Sequence, residues 1–122
     1  MPKTPPDTRR DLFRGSIEVL VLSVLADGAM HGYAIQQQLQ HTLGQTLPVG
    51  SLYPLLHRLE SESWINSNEA THRGRPRRVY QLTAEGQRHL RRSAAHWQAT
   101  IAQLQSLVLP AVRRVATREV NV

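Results

Sequence analysis

Residues 50–83 read GSLYPLLHRLESESWINSNEATHRGRPRRVYQLT, and the order of features in that run decides the fold. On a helical wheel Leu52, Leu55, Leu56 and Leu59 fall together on one side. Tyr53, Pro54, His57 and Ser61 lie opposite, with Arg58 flanking them. The spacing predicts a helix over residues 51–63 with an apolar back and a polar front. Pro54 then falls in the first turn, where a missing N–H costs little. Two short strands are expected at residues 64–69 and 79–82. Their connection, ATHRGRPRR, is long for a hairpin and carries Arg73, Arg75, Arg77 and Arg78. Four like charges in six residues repel one another, and an anionic partner relieves that repulsion.

Two further helices precede this run. From Asp11 to Ala26 the residues Leu12, Ile17, Leu20, Val21, Val24 and Leu25 recur at helical spacing, and Asp27-Gly28 ends the helix. His31-Gly32 opens a second helix that reaches Leu43, with Ile35, Leu39 and Leu43 as its buried row and Gly44 as its stop. Residues 46–50 form the turn into the third helix. A helix, a turn, a second helix of groove size and a cationic hairpin make a winged helix-turn-helix, in which the second helix of the pair enters the major groove. Ser51, Tyr53 and His57 offer hydrogen bonds to base edges, and Arg58 reaches phosphate or guanine. Arg58 has a competing use, an i,i+4 pair with Glu62, and Tyr53 has one as packing beside the strands. Arg73-Gly74-Arg75-Pro76 has the order of an AT-hook core, whose arginines enter a narrow minor groove.

Thr83 reads as an N-cap, with Glu85 in the first turn of a fourth helix. Along it Leu90, Ala94, Trp97, Ile101, Leu104 and Val108 are spaced 4, 3, 4, 3 and 4 residues apart, an a/d heptad seam. That seam packs either on the chain's own first helix or on a second copy, and the strict period favours the copy. Trp97 within it either fills the dimer core or lines a cavity for a planar aromatic effector. Pro110 is expected to break or kink this helix.

Composition narrows the function classes. The chain has 122 residues, enough for one domain with an appended helix, and no cysteine, which excludes disulfides and thiolate chemistry. Net charge is +6, and 14 of the 15 basic residues are arginine, whose planar fork pairs with phosphate and guanine. The longest nearly apolar run, residues 17–26, is too short for a membrane span, and the first residues lack a signal peptide's pattern, so a cytoplasmic location is expected. The six histidines form no HxxxH or HExxH pair, and no GxSxG, P-loop or GxGxxG is present, so no metal, cofactor or catalytic residue is expected. His89 and His96 are read as solvated on an exposed flank of the last helix, and Arg88, Arg91 and Arg92 as a solvated face, with added phosphate contacts as the alternative for the arginines.

The expected architecture is mainly α with a small two-stranded β wing. Residues 1–10 form a flexible arm, 11–83 a winged-helix DNA-binding domain, 84–109 a C-terminal dimerisation helix and 110–122 a basic tail. Several motifs in this order carry a resemblance: LFRGSI at Leu12 to Ile17, HGY at His31 to Tyr33, GSLYPLLHRLE at Gly50 to Glu60, and GRPRRVYQLTAEG at Gly74 to Gly86. Over about residues 11–108 the chain resembles the PadR family of bacterial winged-helix transcriptional regulators, in the short form with a single C-terminal helix. The resemblance implies a homodimer that represses promoters carrying an inverted repeat and is released by small aromatic effectors or other cues. By position it assigns DNA reading to Ser51, Leu52, Tyr53, Pro54, His57 and Arg58, the wing to residues 73–78, and a place near the DNA backbone to Tyr33. Two departures from the family pattern stand out: Pro48-Val49 at the start of the reading helix, and Ser63-Trp64 where a glycine and a smaller apolar residue are usual. The rival readings are a drug-like small-molecule sensor with weak DNA binding, built on Trp97, and a sequence-tolerant architectural DNA-binding protein.

Overall fold

A computed structural model of the protein describes residues 8–44 and 49–120, with side chains over 16–44 and 50–118. The elements run α1 (Thr8–Leu25), β1 (Met30–His31), α2 (Gly32–Leu43), α3 (Val49–Ser61), β2 (Ile65–His72), β3 (Arg75–Leu82) and α4 (Ala84–Val120). The chain divides into two compact units, residues 1–91 and 92–122.

Within the first unit the three leading helices and the sheet enclose one apolar core. Val21, Leu22 and Leu25 of α1, Ile35 and Leu39 of α2, Leu52, Leu56 and Leu59 of α3, Ile65 of β2 and Tyr80 of β3 are all buried. The spacing of α3 is therefore realised: its leucines face inward, while Ser51, Tyr53, Pro54, His57 and Arg58 are exposed. Leu52, which the family pattern groups with the DNA-reading residues, belongs to the core. Leu22 is also fully buried although the periodic row of α1 passed over it, because α1 is covered on more than one side.

The sheet has three antiparallel strands in the order β1-β3-β2, one more than the expected two-stranded wing. The extra strand is the pair Met30 and His31, facing Tyr80 and Val79; two residues give no alternation for a sequence reading to detect. The wing also differs from the long loop expected. β2 and β3 pair continuously from Ile65↔Leu82 to His72↔Arg75, which leaves only Arg73 and Gly74 as the turn. Both have positive φ, 53° and 77°, the signature of a two-residue hairpin turn whose twist matches that of the strands. The RGRP run is thus folded into a tight turn rather than extended as an AT-hook core. Pro76 is tolerated in β3 because Thr71↔Pro76 follows the closing pair, where the strand's N–H would point away from β2.

Helix ends follow local chemistry. The His31 imidazole caps α2 by accepting from the Ala34 N–H, and Gly44 closes α2 in the left-handed region. α1 begins at Thr8, inside the stretch expected to be a flexible arm, whose first seven residues lie outside the described residues. α3 begins at Val49, so Pro54 falls in its second turn and not its first; positions 45–48 of the expected turn lie outside the described residues. The Thr83 hydroxyl accepts from the Gly86 N–H at 2.9 Å, the expected N-cap of α4. Gly86 itself passes so close to β2 that a Cβ there would meet the Trp64 carbonyl oxygen.

α4 continues through Pro110 to Val120, past the point where the sequence reading ends it. An internal proline removes one hydrogen bond, but Ala111, Arg113, Arg114 and Ala116 beyond it are strong helix formers and the helix resumes. Leu90, the first residue of the heptad row, packs against the winged-helix core, so packing on the chain's own domain holds at that position. In the second unit Trp97, Leu104 and Val108 of the same row are 41, 48 and 51% exposed.

α3 ends in a Schellman motif: Trp64 N–H donates to the Leu59 carbonyl and Ser63 N–H to the Glu60 carbonyl. Ser63 occupies the left-handed position with φ 65°, where glycine is usual. Ser63→Gly should therefore stabilise the fold, by about 1 kcal/mol of relieved backbone strain. The check is the urea midpoint: it should rise with an unchanged slope, and a fall would refute the strain argument.

Candidate nucleic-acid interface

Tyr33, Tyr53, Arg77 and Arg78, drawn from three elements, line one cleft of about 300 Å³ together with His31, Gly32 and Tyr80. Tyr33 opens α2, Tyr53 is on the exposed face of α3, and the two arginines stand at the base of the wing. The Tyr53 ring lies so close to Gly32 that a Cβ there would meet it at 2.9 Å. Gly32 is thus the position that lets α2 and α3 approach. The Tyr33 hydroxyl accepts from Gln37 Nε2 at 2.8 Å, which steadies the ring and leaves its own proton to donate.

A side-chain relay ties the wing to α3, and Arg77 stands against His31 of β1. Arg78 donates to Ser67 Oγ at 2.8 Å, and Ser67 donates in turn to Glu60 on α3. Arg77 Nη1 lies 3.0 Å from His31 Nε2. Arg73 and Arg75 are exposed at the tip. The four arginines therefore stand in two places, Arg77 and Arg78 at the base, where Arg78 is braced, and Arg73 and Arg75 at the tip.

Arg58 goes elsewhere. Its guanidinium is bonded to Glu18 of α1, not to Glu62, and the other Glu18 oxygen meets His89 Nε2 at 2.8 Å. The His89 ring stacks on Trp64 with centroids 3.5 Å apart and planes 9° from parallel. His89 is half-buried in this bridge, which corrects the expectation that it is solvated. The contact joins positions 71 residues apart, so no local pattern could have revealed it. His57, Ser51 and Pro54 remain exposed on α3, and His96, Arg88, Arg91 and Arg92 are exposed as expected. No group of three or more metal-ligating side chains occurs among the described residues. No described helix is long and apolar enough to cross a membrane.

Sequence reasoning missed His31, Tyr80 and Glu18 as parts of this surface. For His31 a signal existed, since a polar side chain just before the first helical glycine is an N-cap pattern. The pKa of His31 lies below the ordinary imidazole value: burial lowers it first, and the charges of Arg77 and His72 push the same way. For Glu18 burial acts to raise the pKa, but the hydrogen bonds from His89 and Arg58 and their charges prevail and hold it below the usual carboxylate range.

A three-helix core with a paired β wing and an exposed helix beside it defines the protein as a winged helix-turn-helix. Residues 21–92 match the transcriptional regulator PadR-like family, and the chain belongs to that family. A protein in a Streptomyces fradiae transposon is 42% identical over 77 residues, 63% of this chain but only 21% of that protein, so the chain spans about a fifth of that relative's length. A transcriptional regulator of Mycobacterium tuberculosis is 36% identical over 77 residues, covering 63% of this chain and 71% of that one. Among solved structures, a PadR family transcriptional regulator from Eggerthella lenta superposes with a TM-score of 0.72 at 34% identity, covering 83% of this chain and 88% of that one. A transcriptional regulator from Clostridium thermocellum gives 0.74 at 25% identity, covering 80% and 98%.

Glu18 and His31 fix the sign of the pH dependence on the acid side. Each has a folded pKa below its unfolded one, so each contributes stability that is complete above the unfolded pKa and lost as pH falls through the folded one. The melting temperature should drop in two stages on acidification, the first below about pH 6.5 from His31 and the second below about pH 4.5 from Glu18. His31→Asn, which keeps a capping acceptor, should flatten the first stage in a calorimetric pH series; an unaltered first stage would remove His31 as its source.

Proposed function

We propose that this regulator binds duplex DNA as a homodimeric repressor on an operator of two-fold symmetry. The observation that carries the reading is the exposed polar face of α3 set beside a wing of four arginines, two at its base and two at the tip. In this reading Ser51, Tyr53, Pro54 and His57 meet base edges in the major groove. Arg73 and Arg75 enter the neighbouring minor groove or meet its phosphates, while Arg77, Arg78 and Tyr33 position the backbone. Arg58 acts indirectly, holding α3 to α1 through Glu18. Occupying a promoter in this way excludes the transcription machinery.

Dimerisation is typical of the family and rests here on α4. The row Ala94, Trp97, Ile101, Leu104 and Val108 keeps a seven-residue period, and exposed apolar rows of that period bury against a copy. The copy doubles the reading surface and sets the spacing of two half-sites.

Arg75→Ala should weaken duplex binding and reduce the slope of log K against log salt by about 0.9, the release of one phosphate's counterions. His57→Ala should instead narrow the gap between operator and random DNA with little change of slope. Anisotropy titrations at several salt concentrations separate the two, and unchanged affinity and slope in Arg75→Ala would remove the wing tip from the interface. Leu104→Glu should shift the protein from dimer to monomer in sedimentation equilibrium; a persistent dimer would place the interface elsewhere.

A further inference from the structure

The cleft at the base of the wing contains a pairing that does not close on itself. His31 Nδ1 accepts from the Ala34 N–H at 3.2 Å. A neutral imidazole carries one N–H, so in this tautomer the proton is on Nε2. Facing Nε2 at 3.0 Å is Arg77 Nη1, part of a guanidinium that has donors and no acceptor. Two donors therefore face one another. The other neutral tautomer would let Arg77 donate but would forfeit the helix cap. Protonation would forfeit the cap as well and set a second cation against Arg77. The arrangement is satisfied by an acceptor with several lone pairs placed within reach of both N–H groups.

The surroundings select the acceptor. The cleft of about 300 Å³ is lined by His31, Gly32, Tyr33, Tyr53, Arg77, Arg78 and Tyr80, which include two cations and no carboxylate. Tyr33 has a proton to donate, because its oxygen already accepts from Gln37. We propose that this cleft seats one backbone phosphate of the bound duplex, held jointly by the Nε2–H of neutral His31 and the guanidinium of Arg77, with the tyrosine rings as walls. The proposal rests on the DNA-binding reading above and adds to it a phosphate contact made by an uncharged donor. The duplex is favoured over a free oxyanion because the cleft opens beside exposed Tyr53 of α3 and beneath the arginine wing.

An uncharged donor and a cation leave different marks on salt dependence. His31→Asn keeps an acceptor for the Ala34 N–H but lacks the reach of Nε2. In anisotropy titrations with a short random-sequence duplex it should weaken binding about tenfold, the loss of one hydrogen bond to a charged group. Its salt slope should match the wild type, since no charge is lost. Arg77→Ala should weaken binding and lower the slope by about 0.9. The double variant should lose less than the product of the two single losses, because both groups serve one phosphate. Wild-type affinity in His31→Asn, or strictly multiplicative losses, would overturn the shared seat while leaving DNA binding intact. Failure of the wild-type protein to bind any duplex would overturn the DNA reading and the seat with it. Long-range proton–nitrogen correlation on the DNA-free protein should show His31 as the Nε2–H tautomer, and the Nδ1–H form would refute the premise. In a titration with inorganic phosphate the His31 nitrogen shifts should stay unsaturated at micromolar concentrations; tight saturation there would assign the cleft to a free anion instead.

Discussion

The burial of Leu52, Leu56 and Leu59 is the constraint on which the rest of this domain depends. Three leucines on one side of a helix can leave water only if that side meets Val21, Leu22, Leu25, Ile35 and Leu39, which fixes the rotation of α3 about its axis. Once the rotation is fixed, Tyr53 and His57 have no direction left but outward. Each leucine removed from that face would cost about 2–5 kcal/mol, a large share of a small domain's stability. No single polar contact on the outer face approaches that magnitude. The exposed polar face of α3 is thus a by-product of core packing.

Polar bonds then refine what the core has oriented. Glu18 draws Arg58 and His89 to α1, and Glu60 reaches Arg78 through Ser67. Arg58 remains half-exposed, so its pair with Glu18 contributes little to stability, of the order of 0–1 kcal/mol. Its consequence is geometric, because it holds the guanidinium toward α1. At the wing the tight Arg73-Gly74 turn holds Arg73 and Arg75 at the tip while the strands pair all the way up to it. A hairpin of this kind keeps its charges in a fixed array, and a rigid array loses less entropy on meeting phosphate than a long loop would.

How much of this was legible in the sequence depends on the range of the interaction. The apolar back of α3, the Gly44 stop and the Thr83 cap are set within one or two helical turns, and the spacing alone announces them. The wing was recognisable from its charges, yet its true turn was hidden because strand pairing extends through residues with no apolar alternation, such as Asn68, Glu69, Arg77 and Arg78. β1 is too short to have a period at all. The Glu18 bridge and the cleft around His31 depend on groups 40 to 71 residues apart, which meet only after the core has formed. Local chemistry could mark His31 as a cap, but not as a neighbour of Arg77.

Pro110 illustrates how a local rule can give the wrong helix boundary. Reading it as a terminus separates a basic tail from the helix, whereas the helix continues to Val120. Counting on from Val108 by 3 and then 4 reaches Ala111 and Val115, so the heptad row crosses the proline without a change of phase. Pro110 itself falls between row positions, and the bond it removes is the one the Ser106 carbonyl would have accepted. The next row position is Arg118, a charge where an apolar residue would be needed, so the stripe closes at Val115. Leu107 and Val112 flank it on either side and share a shallow apolar surface with Val108 and Val115. The proline removes one backbone bond, the helix formers on either side of it keep the ladder going, and the apolar row holds its phase over a further turn and a half.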